Sequence, residues 1–224
     1  SAGSLSERSV SMTHYRSAHS QPLRSHFDTL EQQAEAASLG MWLFLASEVL
    51  FFAGLFMGYT YLRWCYPDEV AAASRELALV QGGVNTFILL TSSFAVAMGV
   101  LRSHEGAWAN ASRWFAGAGW MGVAFLVVKG SEYVHAVHAG HLPTLGGDAR
   151  SLFFWLYFVM TGLHALHVLI GVVMLFLVAF WMRRPEALSL NTVRNSGLYW
   201  HFVDLVWVFL FPLLYLAGHR PLFP

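Results

Sequence analysis

Charged residues are scarce in this sequence. They make up 12% of its 224 residues, with 13 Lys and Arg balancing 13 Asp and Glu, where a soluble domain carries about 25%. That balance leaves no basic surface for nucleic acid, which is not expected as a partner. A single cysteine, Cys65, excludes an internal disulfide or a thiolate cluster. Hydrolytic and transfer motifs are missing: there is no Ser-His-Asp arrangement, phosphate loop or metalloprotease helix. Gly82-Gly83 precedes an apolar run with no strand before it, so it reads as a flexible helix start rather than a nucleotide cradle. Residues 1–37, rich in Ser, His and Gln, lack the basic start, apolar middle and small-residue cleavage site of a signal peptide. They are expected to form a polar tail that orders only against a partner.

What the chain has in abundance is apolar length. It is 56% hydrophobic and 16% aromatic, and five stretches reach the ~20 residues that a bilayer span requires. They run roughly over 38–62, 84–101, 114–131, 152–182 and 198–217. Tyr66-Pro67-Asp68 breaks the chain after the first, His141-Leu142-Pro143 with Gly146-Gly147 makes the loop before the fourth, and Pro185 closes the fourth. Backbone groups in lipid must be satisfied internally, so the spans are predicted to be helices. The expected fold is all-α, a polytopic bundle of five transmembrane helices over 38–224, without repeats or a second domain.

Arginines orient the bundle. One face is assigned Arg8, Arg16, Arg24, Arg102, Arg113, Arg183, Arg184 and Arg194; the other is assigned Arg63, Arg75, Arg150 and Arg220, with Lys129 near the end of its span. The positive-inside rule then puts the N-terminus in the cytoplasm and the C-terminus outside, as an odd number of spans requires.

Ionisable residues within spans are costly and therefore informative. Glu48 stands in LGMWLFLASEVLFF; Glu132 and His135 end the third span; His164 and His167 lie in the fourth; His201 and Asp204 open the fifth. Three-residue spacing puts His164 with His167, and His201 with Asp204, on shared helix faces. Three readings compete for these residues. They can be hydrogen-bonding glue between helices. They can ligate a cofactor: a haem between His164 or His167 and His201, or a dimetal centre around Glu132-Tyr133-Val134-His135, whose Glu-x-x-His spacing occurs only once. They can handle protons or lipid. No Lys or Arg lies mid-span with Glu48, so its carboxyl is expected to be protonated or hydrogen-bonded rather than salt-bridged.

Five strings, in order, resemble one family. LGMWLFLASEVLFFAGLF, VNTFILLTSS, SEYVHA, TGLHALHVLIG and YWHFVDLVWVFLF are similar to helices of subunit III of the haem–copper respiratory oxidases, the cytochrome c and quinol oxidase group. Many members have two further helices before the glutamate-bearing one; this chain resembles the shorter five-span form. The resemblance implies a non-catalytic integral subunit of a terminal oxidase that reduces oxygen to water coupled to proton translocation. It implies no redox centre in this chain, haem and copper in partner subunits, and contacts with catalytic subunit I, other oxidase subunits and bound phospholipid. It places the chain in a bacterial inner membrane. Glu48 is then the family's buried carboxylate with a possible proton role, and no residue is catalytic. Glu132, His164, His167, His201 and Asp204 form its buried polar network. Arg183 or Arg184 falls where a family arginine meets a lipid phosphate, although simple anchoring explains them equally. A five-span accessory protein of nitric oxide reduction or oxidase assembly, and a haem-binding membrane subunit, are the alternatives.

Overall fold

A computed structural model of the chain describes residues 29–138, 148–184 and 188–218. Six helices account for most of them: α1 (Leu30–Cys65), α2 (Pro67–Arg75), α3 (Leu79–His104), α4 (Trp108–His138), α5 (Ala149–Trp181) and α6 (Leu190–Tyr215). All except α2 are long and apolar enough to cross a membrane. The loop expected at His141–Gly147, Pro185, Arg220 and the tail through Arg24 lie outside the described residues.

The helices overrun the apolar stretches that announce them. α1 begins at Leu30, within the stretch expected to be a polar tail, because Thr29 caps it and accepts from the Gln32 N–H at 3.1 Å. Thr29-x-x-Gln32 is a capping-box pattern. α4 continues two turns beyond the expected end at 131, through Glu132 to His138. Polar turns outside the hydrocarbon extend a helix as readily as apolar ones inside it, so hydropathy alone underestimates length. α2 was not anticipated either. Tyr66, non-helical at φ −136°, precedes Pro67 at the first helical turn, with Asp68 and Glu69 beside the positive helix start.

α3, α4, α5 and α6 form a closed ring, each packed on the next, and α1 lies outside it against α5 and α6. Few of the apolar residues of α1 are covered: Trp42, Leu50 and Trp64 are all more than half exposed. The polar start of α1 is tied to α6 by Asn191 and Asn195 side chains donating to the Ala34 and Ala37 carbonyls. At the opposite end, α1 and α2 cap the last turn of α6. Tyr59 donates to the Leu213 carbonyl, Ser74 to Leu214 at 2.6 Å and Arg75 Nε to Gly218 at 2.7 Å. The Leu213 and Leu214 carbonyls are among those that a helix end leaves without partners.

α3 and α4 join through a tight turn. Gly106 has φ +75°, its N–H reaches Ser103 and the Ala107 N–H reaches Arg102. This double bond at a left-handed glycine is the Schellman arrangement. Gly106→Ala keeps the fold but is expected to cost about 1 kcal/mol from the positive φ alone, read as a lowered unfolding midpoint with an unchanged helix signal. An unchanged midpoint contradicts this role for the turn.

Candidate functional site

The polar residues inside the spans gather at three places, not in one network. The first is the interface of α1 with α5. Glu48 Oε2 lies 3.2 Å from His167 Nε2, and His167 Nδ1 lies 2.8 Å from the Leu163 carbonyl. A carbonyl only accepts, so Nδ1 carries the hydrogen. Nε2 then has two options. In a neutral imidazole it accepts, and Glu48 must be the protonated acid. In an imidazolium it donates to a Glu48 carboxylate. Either way one proton is shared between the two side chains and the pair is neutral as a whole. Phe52 sits edge-on to the imidazole at 5.4 Å, and the Tyr199 hydroxyl donates to the His167 carbonyl. The pair is not enclosed: the Glu48 side chain is 20% exposed and that of His167 14%. Sequence reasoning left Glu48 without a named partner because it sought only Lys or Arg.

The second place is deep between α4, α5 and α6. Lys129, expected near a span end, is instead buried at 2% exposure beside Glu132 at 4%. Its ammonium donates three times: to Glu132 Oε2 at 3.1 Å, Tyr157 at 2.9 Å and Tyr215 at 2.6 Å. Both phenols donate in turn to Glu132 Oε1. Every Lys129 hydrogen has an acceptor, and aromatic faces of Tyr157 and Trp207 stand 4.7 and 5.4 Å from the charge. Lys129 is the sole lysine of the sequence, and its three-residue spacing from Glu132 was the signal for a pair. His135, three residues after Glu132, faces outward and bonds the Ser131 carbonyl, so the Glu-x-x-His spacing does not bring its two side chains together. His164, one turn before His167, is aimed away from it, stacked on Trp207 at 5.2 Å and edge-on to Phe125. Three residues along a helix leave side chains about 60° apart, enough here to face different neighbours.

The third place is the seam between α3 and α6. His201 Nδ1 meets the Ser93 hydroxyl at 2.6 Å, and Asp204, one turn on, is enclosed at 3% exposure. His164, His167 and His201 are thus each turned to a different neighbour, an arrangement that does not fit a haem held between any two of them. Among the described residues, no three His, Cys, Asp or Glu side chains gather as a metal-holding group. Arg183 and Arg184, just past the end of α5, are exposed on the same end of the bundle as the start of α1.

Residues 22–219 match the family model for cytochrome c oxidase subunit III. The chain belongs to that family. It is 36% identical over 180 residues to cytochrome c oxidase subunit 3 of Synechocystis sp., covering 79% of this chain and 74% of the relative. It is 34% identical to cytochrome c oxidase subunit 3 of Thermostichus vulcanus, covering 84% of this chain and 91% of the relative. It is 32% identical to quinol oxidase subunit 3 of Bacillus subtilis, covering 84% and 92%. Within this subunit III chain, all five matching strings supply the three polar places: Glu48 from the first, Ser93 from the second, Glu132 from the third, His167 from the fourth, and His201 and Asp204 from the last.

Proposed function

We propose that this chain is a non-catalytic integral subunit of a terminal haem–copper oxidase of a bacterial inner membrane, which stabilises the catalytic subunit and supports proton uptake. The observation that carries the reading is the Glu48–His167 pair. It is a neutral, proton-sharing unit on a largely uncovered helix face, set in a family named for oxidase subunits. Relatives named for cytochrome c and for quinol match over similar lengths, which fits a subunit remote from the electron donor. The separate facing of the three histidines supports placing haem and copper in partner subunits. The exposed face of α1 suits contact with phospholipid or a neighbouring subunit, and Arg183 and Arg184 suit a lipid headgroup phosphate. Arginines at the end that carries Arg102, Arg183 and Arg194 favour a cytoplasmic N-terminus.

The test is to purify the oxidase with and without this chain and follow activity over many turnovers. Faster decay or weaker proton pumping without it is the expected result. Equal initial rates, equal decay and equal pumping overturn the reading. At Glu48, substitution by Gln keeps a donor for His167 Nε2, so assembly is expected to survive with a modest change in function. Glu48→Leu leaves that nitrogen without a partner, costing roughly 1–3 kcal/mol, and is expected to lower the yield of assembled complex. Loss of the complex in Glu48→Gln contradicts the shared-proton pair.

A further inference from the structure

The α3–α6 seam holds a group that the Glu48 site does not use. Asp204 is 3% exposed, and neither carboxylate oxygen has a hydrogen bond among the described residues. Buried carboxyl oxygens almost always have a partner, and an isolated carboxylate in a dry interior is costly enough that the acid holds its proton instead. The surroundings supply no cation to change that. On the same seam α3 contributes the Ser93 hydroxyl and α6 contributes His201, one turn before Asp204. From α5, His164 is turned to Trp207 and His167 to Glu48, while Lys129 of α4 is saturated by Glu132, Tyr157 and Tyr215. The Ser93 hydroxyl meets His201 Nδ1 at 2.6 Å, one helical turn from Asp204 along α6. His201 is only half-buried, and its Nε2 has no hydrogen bond to any described residue.

We propose that Asp204, Ser93 and His201 form a proton-exchange site, with Asp204 as the enclosed acid, Ser93 as the bridge and His201 as the outward terminus. A proton leaving an Asp204 oxygen adds to Ser93 Oγ as the proton of that hydroxyl passes to His201 Nδ1. Asp204 becomes a carboxylate and His201 an imidazolium; one proton moves and no electrons do. Return of the proton reverses both bonds. A serine hydroxyl is suited to this because it donates and accepts at one atom and rotates between partners. The site needs neither Glu48 nor a redox centre, so it stands apart from the reading above.

The experiment is infrared spectroscopy of the intact membrane complex containing this chain, moved from H2O to D2O. A protonated-carboxyl band is expected that disappears in Asp204→Asn and shifts on deuteration. Its exchange is expected to slow roughly hundredfold in Ser93→Ala, at the lower end of what a positioned proton-transfer group contributes. Ser93→Thr, which keeps the hydroxyl, restores it. A purely structural Asp204 predicts the same exchange in all three Ser93 forms, and that result overturns the proposal. So does a band unchanged by Asp204→Asn. Should that variant not assemble, Asp204→Glu keeps the acid and moves the band, and an unmoved band is equally decisive.

Discussion

Lys129→Met is expected to prevent stable assembly of the bundle, with the largest loss of any single substitution on α4. The ammonium and the Glu132 carboxylate are both almost fully enclosed, so removing the lysine leaves a buried charge facing only two phenols. Breaking a buried pair from one side costs roughly 3–5 kcal/mol, against total stabilities of about 5–15 kcal/mol for whole domains. The attraction itself is not the reason for the loss, since desolvation of both ions offsets most of it. The reason is the orphan. Lys129→Met combined with Glu132→Gln removes both charges, and the Gln carbonyl still accepts from Tyr157 and Tyr215. The double variant is therefore expected to recover most of the lost stability. Thermal inactivation and assembled yield in native lipid read both forms. A single variant as stable as the parent, or a double no better than the single, contradicts the orphan argument.

That pair also shows what a sequence of this kind discloses. The five spans are legible because each carries an apolar run whose length is set by the bilayer, and all five runs become helices. The polar positions are legible for the same reason, since an ionisable residue stands out against Leu, Phe and Val. Partnership is not legible. Glu48 and His167 are 119 residues apart in sequence, and nothing local to either indicates that α1 crosses α5 at that depth. Lys129 lies three residues from Glu132, a spacing that does suggest a pair, but its place near the end of an apolar run put it among the basic residues counted for the outer face. Only the length of α4, which carries that region into the packed interior, places it in the core. α2 was passed over because its nine residues are too short and too polar to register as a span. Yet it supplies Ser74 and Arg75, which complete the end of α6.

Gly171→Ala is expected to be strongly damaging for an exchange that adds a single carbon. Trp200, fully buried on α6, is held in a slot whose walls are two glycines on different helices. A Cβ on Gly171 of α5 comes to 2.7 Å from the indole, and one on Gly122 of α4 comes to 2.7 Å from the same ring and 2.5 Å from Val172. The indole cannot retreat easily, because its N–H bonds the Ser92 hydroxyl at 3.0 Å and that hydroxyl in turn bonds the Ala118 carbonyl. Overpacking of this kind costs about 1–3 kcal/mol, and the tether to Ser92 argues for the upper half of that range. Trp200→Phe opens space but forfeits the indole hydrogen bond. The two changes are therefore coupled: Gly171→Ala should cost less in the Trp200→Phe background than in the parent, because the methyl then fills part of the vacated slot. A double-mutant cycle on thermal stability measures this, with a coupling of roughly 0.5–3 kcal/mol expected for residues in direct contact. Strict additivity would show that α5 yields to the methyl by moving as a body, and that the glycine slot does not hold Trp200 in place.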